Sequence, residues 1–206
     1  MRTVHAKTPS CAAAVILIVI CVTPRTGWAA PSAAGDRDER LASAPRPCRI
    51  VVPQPLREIV DDAWRLSATF RRQCHDLAAA RAVVVLTLRA RFARTAQADT
   101  AIGINDAGVV VATVSVPLDE RTVELVAHEL EHVVERATGT DLAGESRRRD
   151  SGIWRTFGGF ETQRAIEAGK RVAREVREGA LATSDRTARV SNAASVSMAS
   201  TATSSL

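Results

Sequence analysis

Residues 109–137 read VVVATVSVPLDERTVELVAHELEHVVERA, and this stretch decides the fold. Its first part is rich in β-branched residues, which favour an extended strand over 109–116, and Pro117 then ends the strand. The second part places apolar residues at helical spacing, and Gly139 is a typical helix stop. We therefore predict a strand that is followed directly by a helix over 120–137.

The rest of the central region adds two helices and two strands to this pair. The predicted helices span 56–77 and 160–178, and the predicted strands span 82–92 and 100–104. Asn105 and Gly108 supply hairpin-turn chemistry before the 109–116 strand. Because the strands do not alternate with helices, we expect an α+β domain over 48–178. Its three-stranded, mainly antiparallel sheet would pack on the 120–137 helix, with one helix before the sheet and one at the C-terminal end.

Both ends of the chain differ in composition from this region. Residues 1–29 combine a basic start, a 12-residue apolar run at 11–22 and small residues near Ala29, which is typical of a secretory signal peptide. A retained membrane anchor is the alternative, but the apolar run is short for a span of about 20 residues. Residues 30–47 are predicted to be a linker, and the Ala/Ser/Thr-rich residues 179–206 a disordered tail.

Export would change the expected state of the cysteines. Cys48 and Cys74 are the pair that remains after signal removal, and an oxidising compartment favours a disulfide between them. Two free, buried thiols are the alternative. We expect an exported protein, periplasmic or secreted.

Charge and composition exclude several classes of partner. The net charge of +5 is not clustered, and three of the basic residues lie in the expected signal peptide. Aromatic residues make up only 3% of the chain, so we predict no nucleic-acid partner. The polar face of the last helix carries acidic as well as basic residues, which argues against stable membrane association after signal cleavage. The sequence leaves the oligomeric state open.

The predicted 120–137 helix contains the motif H-E-x-x-H, as His128-Glu129-Leu130-Glu131-His132. Residues at i and i+4 lie one above the other on a helix, so His128 and His132 can bind one metal ion, and imidazole suits Zn²⁺. Glu129 lies at the edge of the same face, where it can act as a general base toward a water. The alternative is a charged helix face with two solvated histidines. Glu131, at an internal position of the motif, is expected to be a solvated or salt-bridged helix residue.

A catalytic zinc site needs a third protein ligand, and the last helix offers four glutamates. On a helical wheel Glu161 falls within the apolar stripe that must face the core, whereas Glu167 falls among basic residues. Glu175 and Glu178 lie three or more turns along. A carboxylate on a core-facing stripe needs a cation or hydrogen-bond partners, and a zinc ion on the facing helix would satisfy it, so we predict Glu161 as the third ligand. An ion pair with Arg155 is the competing interpretation.

The HELEH motif followed by Phe160-Glu161-Thr162 resembles a minimal gluzincin-type zinc metallopeptidase, and also short exported bacterial HELEH proteins. The resemblance extends over about 83–176. It implies a zincin-like fold, a peptide or protein substrate and hydrolysis by a zinc-activated water with Glu129 as the base. It also implies that the strand before the zinc helix, 109–116, binds extended substrate. The metzincin pattern is excluded, because its later positions hold Glu135 and Thr138.

The sequence also departs from the gluzincin pattern. It has no Tyr to stabilise an oxyanion, which leaves His75, Arg155 and Arg164 as candidates, and the neighbours of Glu161 are not the usual Asn or Asp. A non-catalytic exported module with a structural or vestigial zinc site is therefore the alternative function. Trp154 and Phe157 would line a substrate cleft or, as we favour, cover the core. A disulfide between the cysteines would favour an open metal site, because they are the residues that could close it.

Overall fold

The computed structural model describes residues 44–90, 97–156 and 159–201, with side chains up to residue 189. The strands are β1 (Arg49–Val51), β2 (Val83–Leu88), β3 (Asp99–Ile104), β4 (Val110–Val116), β5 (Ile153–Arg155) and β6 (Phe160–Thr162). The helices are α1 (Arg57–Leu66), α2 (Ala68–Ala79), α3 (Thr122–Ala137), α4 (Leu142–Glu145) and α5 (Gln163–Thr201). The expected signal peptide lies outside these residues, as do most of the linker and Phe157. Among the described helices, none combines the length and apolarity needed to cross a bilayer.

The main sheet has four strands in the order β1-β2-β4-β3. Strands β1, β2 and β4 run parallel, and β3 is an edge strand antiparallel to β4. A hairpin joins β3 to β4, with the Asn105 side chain accepting from the amides of Ala107 and Val109. Gly108 adopts φ +73°, a left-handed conformation that glycine takes without strain.

The predicted three-stranded, mainly antiparallel sheet is wrong in strand number and direction. The chain leaves β2, takes the edge position with β3 and returns as β4 between them, so β2 and β4 become parallel neighbours. Ten residues separate β2 from β3, which is more than a tight hairpin needs and allows one strand position to be skipped. Strand β1 has only three residues, too few for an alternating pattern to predict it.

One face of the sheet forms the core with the helices. Alternate residues of the two central strands are buried: Val84, Leu86, Ala112, Val114 and Val116. They pack with the apolar sides of α1, α2 and α3 in one continuous cluster. Successive side chains of these two strands therefore alternate between the core and the opposite face of the sheet.

The first predicted helix is divided into α1 and α2 at Ser67, whose φ of −112° and ψ of 117° are extended. The Ser67 hydroxyl accepts from the amide of Phe70 at 3.0 Å and so caps α2. Arg71 is buried at the joint, where it donates to the Trp64 and Arg65 carbonyls that end α1. The two helices keep the predicted apolar face toward the core.

A disulfide joins Cys48 to Cys74, as the exported-protein interpretation predicts. It ties the residue before β1 to the middle of α2, across a sequence separation of 26 residues. Closing a loop of this length in the unfolded chain stabilises the folded state by about 3 kcal/mol.

The last helix begins later and ends later than the sequence predicts. Residues Phe160–Thr162 form β6, which pairs with β5, and α5 starts at Gln163. The helix then continues to Thr201, through residues for which the sequence predicts a disordered tail. Side chains at 180–189 are exposed, so packing does not hold this part. Extending an already anchored helix avoids the cost of nucleation, which explains its continuation through Ala-rich sequence.

Glu175 on α5 connects that helix to the start of α2. Its carboxylate accepts from the Ser67 hydroxyl at 2.5 Å, the Thr69 amide at 3.0 Å and the Thr69 hydroxyl at 2.8 Å. Burial alone would raise the pKa of Glu175, but these hydrogen bonds outweigh it and lower the pKa. The stabilisation is therefore present above the unfolded carboxyl pKa and is lost as the pH falls toward the folded value.

We expect Glu175→Gln to lower the free energy of unfolding by about 1–2 kcal/mol at pH 7, because charge-assisted bonds become neutral ones. The difference from the wild type should begin to shrink below the unfolded glutamate pKa of about 4.3 and should disappear as the pH falls through the lower folded-state pKa of Glu175. Urea unfolding at several pH values measures both effects. Glu178→Gln, on the exposed side of the same helix, is the matched control and should have no effect. Equal losses in the two variants would contradict the capping role.

Candidate metal centre

His128 and His132 lie one turn apart on α3, on the side that faces the β5–β6 hairpin. Their ring centroids are 4.9 Å apart, and the rings stand at 79° to each other. The side chains are 17% and 13% exposed, so the pair is reachable from solvent without being fully solvated. This partial burial does not fit a solvated, purely surface pair.

Glu161 on β6 meets both imidazoles. Its Oε1 lies 3.3 Å from Nε2 of His128 and 3.3 Å from Nε2 of His132. A tetrahedrally coordinated ion about 2.0–2.1 Å from each donor atom would hold the donor atoms about 3.3 Å apart. The two oxygen–nitrogen distances therefore fit Zn²⁺. The three residues each offer a donor atom within 4.8 Å of the others, and among the described residues no other group of His, Cys, Asp or Glu does so.

The structure brings together His128, His132 and Glu161, as the sequence predicts, but the predicted helical position of Glu161 is wrong. Glu161 lies on strand β6 and not on the last helix, so a helical wheel does not describe the direction of its side chain. It reaches α3 because the hairpin ends in Thr162, whose hydroxyl caps α5 by accepting from the Ala165 amide at 3.0 Å. Because the first turn of α5 packs against α3, the capped start of α5 fixes the position of the Glu161 carboxylate just before it.

Gly169 allows α5 to approach α3 closely at the turn that carries His128. A Cβ atom at this position would lie 2.8 Å from the Glu124 carbonyl oxygen and 3.1 Å from Cβ of His128. Both neighbours are fixed parts of α3, so a larger residue would force the helices apart. The glycine thus sets the distance between the histidines and the segment that bears Glu161.

A second layer of hydrogen bonds orients the candidate ligands. Glu135 Oε2 lies 3.1 Å from Nδ1 of His132, and Glu135 Oε1 accepts from the Thr162 hydroxyl at 2.8 Å. The Thr162 amide donates to Glu161 Oε1 at 2.9 Å. This carboxylate–histidine arrangement is common at metal sites. The sequence reasoning missed it, although an acid three residues after a histidine on one helix is a usable signal.

The charges of the cluster depend on each other. Burial would lower the pKa of His132, but the carboxylates of Glu135, Glu161 and Glu129 outweigh it and raise the pKa to about 10. Burial would raise the pKa of Glu161, but hydrogen bonds from His128 and His132 lower it instead. A metal ion bound at this point would compete with a proton for the imidazole nitrogen of His132.

Glu129 is not a member of this donor group and contacts the edge of the sheet. It is 8% exposed, and its Oε2 accepts from the Thr100 hydroxyl at 2.5 Å. Thr100 belongs to β3, which is the edge strand on this side of the sheet. The expectation that 109–116 is the substrate-side edge is wrong, because β4 is paired on both sides, with β2 and β3.

Glu131, the remaining acid of the motif, is completely buried behind the site. Its carboxylate accepts from Arg72 and Gln73 of α2 at 2.7 Å each, and from Arg164 of α5 at 2.5 Å. Burial would raise the pKa of Glu131, and these donors reverse the effect and lower it. Of the two roles considered for this residue, the salt-bridged one is correct.

The other candidates from the sequence point elsewhere. Glu167 is exposed and bonded to Gln163, and Glu175 caps α2. Arg155 lies over the Phe160 ring, 5.8 Å from its centroid. The ion-pair partners of Glu161 among the described residues are His128 and His132, and not Arg155. Of the two remaining oxyanion candidates, Arg164 is bound to Glu131, and His75 lies against Trp64 with centroids 6.1 Å apart.

Three protein donors would leave one tetrahedral direction for a water or a substrate atom. The two cysteines that the structure describes cannot supply a fourth ligand, because Cys48 and Cys74 are bonded to each other. Within 44–90, 97–156 and 159–201, the donor group contains the two histidines and one glutamate only. The arrangement thus has the composition of an open site and not of a closed structural one.

Gly169→Ala tests the close approach of the helices. Alanine has the better helix propensity by about 1 kcal/mol, but the clash should outweigh it and lower the free energy of unfolding by about 1–2 kcal/mol. Zinc affinity should also fall at least severalfold, as measured by calorimetric titration. Gly103→Ala is the control, since its Cβ would meet no atom within 4 Å. A stabilised Gly169→Ala protein with unchanged zinc affinity would refute the constraint.

Comparisons of the chain with protein-family models, with curated proteins and with solved structures return no match.

Proposed function

We propose that this protein is a zinc-dependent peptidase of the minimal gluzincin kind, with His128, His132 and Glu161 as metal ligands. The observation that carries the proposal is the 3.3 Å spacing of the Glu161 oxygen from both imidazole nitrogens, beside a glutamate that is not a ligand. Two neutral imidazoles and one carboxylate are a donor set that zinc enzymes use. Zinc would supply Lewis acidity at this point, which acidifies water and polarises a carbonyl group.

Side chains around the candidate zinc ligands would transfer the proton and orient the ligands. Glu129 would accept a proton from the attacking water and pass it to the leaving amine nitrogen. The Thr100 hydroxyl holds one oxygen of Glu129, which leaves the other for this exchange. Glu135 and Thr162 keep His132 and Glu161 in the orientation needed for binding.

The substrate would be an extended peptide laid along β3. This strand is the edge of the sheet, and the hydroxyl of its Thr100 already contacts Glu129, so a peptide paired with it would pass close to the base. Strand addition uses main-chain hydrogen bonds and so accepts many sequences. We infer that the protein works outside the reducing cytoplasm, periplasmic or secreted, because the Cys48–Cys74 disulfide suits an oxidising compartment.

The second candidate function is a non-catalytic exported module with a structural or vestigial zinc site. The chain contains no Tyr, and the three candidate oxyanion-stabilising side chains are engaged elsewhere. Such a module would bind zinc with the same three ligands but would not hydrolyse peptides. Activity of the zinc-loaded protein separates the two functions.

Glu129→Gln should keep about one zinc per chain and lower peptide hydrolysis about a hundredfold to ten-thousandfold, since it removes the base but no ligand. Zinc content is measured by elemental analysis. Hydrolysis is measured by mass spectrometry of the peptides released from casein, an unfolded protein substrate. Glu124→Gln, on the same helix and paired with Arg121, is the matched control and should retain activity.

Two results would contradict the proposal in different ways. Full activity in Glu129→Gln would exclude this residue as the base. A zinc-loaded wild type that cleaves no bond in casein or in a mixed peptide library would favour the non-catalytic module.

A further inference from the structure

Trp154 is a large apolar side chain left exposed beside the candidate metal centre. It lies in β5 and is 42% exposed, whereas Trp64 is 7% exposed and its indole nitrogen donates to the Ala44 carbonyl. The sequence predicts that Trp154 covers the core. Its exposure contradicts that role and leaves its indole face open to a ligand.

The register of the hairpin puts Trp154 next to the candidate zinc ligand. Trp154 is directly opposite Glu161 in the antiparallel β5–β6 pair. Opposite residues share one face of a pair, with Cβ atoms about 4.5–5.5 Å apart. The next pair, Arg155 and Phe160, lies on the other face, where the guanidinium stands over the ring. Trp154 and Glu161 therefore share the face that bears the candidate metal ligand.

We propose that Trp154 is a specificity-determining residue that contacts an apolar side chain of the substrate next to the bond being cleaved. This inference rests on the proposed function. An indole gives a wide, rigid apolar surface that orders at little entropic cost. Among the paired residues 153–155 and 160–162, the register places one charged residue on this face, Glu161, and its carboxylate lies against the two imidazoles. Aliphatic and aromatic side chains are thus favoured at this position, and charged ones are not.

The test uses two probes that bind zinc through the same hydroxamate oxygens. Acetohydroxamic acid carries only a methyl group, and 4-methylpentanohydroxamic acid adds an isobutyl group that can reach the indole. Binding of each to the zinc-loaded protein is measured by titration calorimetry, which requires no turnover. We expect the longer probe to bind the wild type about tenfold more tightly, the usual effect of burying a few methylene groups.

Trp154→Ala should keep its zinc and reduce this preference to about threefold or less. Trp154→Phe should retain part of it. Arg155→Ala is the matched control, because it alters the adjacent residue of β5 on the opposite face, and it should retain the full preference. Casein digests should shift in the same way, with fewer cuts beside Leu and Phe in Trp154→Ala.

The outcomes distinguish this inference from the proposed function. Equal affinity of the two probes for the wild type, or equal loss of preference in Trp154→Ala and Arg155→Ala, would overturn the role of Trp154 and leave the zinc site intact. A protein that binds zinc but neither probe would have an ion closed to ligands, which would overturn the peptidase proposal and this inference together.

Discussion

The close approach of α5 to α3 at Gly169 is the constraint on which the rest of the site depends. No side chain separates the helices there, so the start of α5 is held against the turn that carries His128. The hairpin that precedes α5 is held with it, and this hairpin delivers Glu161 to the two imidazoles. The Glu131–Arg164 ion pair holds the first turn of α5 to α3, and the Thr162–Glu135 hydrogen bond holds the last residue of β6 to the same helix.

Helix α3 carries three acids within seven residues, and each has its own direction and partner. Glu131 is buried against Arg72 and Arg164, Glu135 holds His132, and Glu129 reaches the edge strand through Thr100. Like charges this close together would destabilise the helix if they were unpaired. The separate partners remove that cost and also divide the roles, because only Glu129 lies beside the donor group without supporting it.

The sequence predicted what depends on local patterns and missed what depends on distant pairing. The spacing of His128 and His132 follows from one helix, and the disulfide follows from the count and expected compartment of the cysteines. The predicted order of strands in the sheet is wrong, because no local sequence pattern indicates that the chain skips a strand position between β2 and β3. Glu161 was chosen for a helical position it does not occupy, and the pairing of Glu135 with Thr162 joins residues 27 positions apart.

Anomalous diffraction at the zinc edge, from crystals soaked in zinc, tests the central claim most directly. The account predicts one strong peak about 2.0–2.2 Å from Nε2 of His128, Nε2 of His132 and a carboxylate oxygen of Glu161, with a non-protein ligand completing the coordination. A peak bound elsewhere, a fourth protein ligand on the ion, or no peak at all would contradict it.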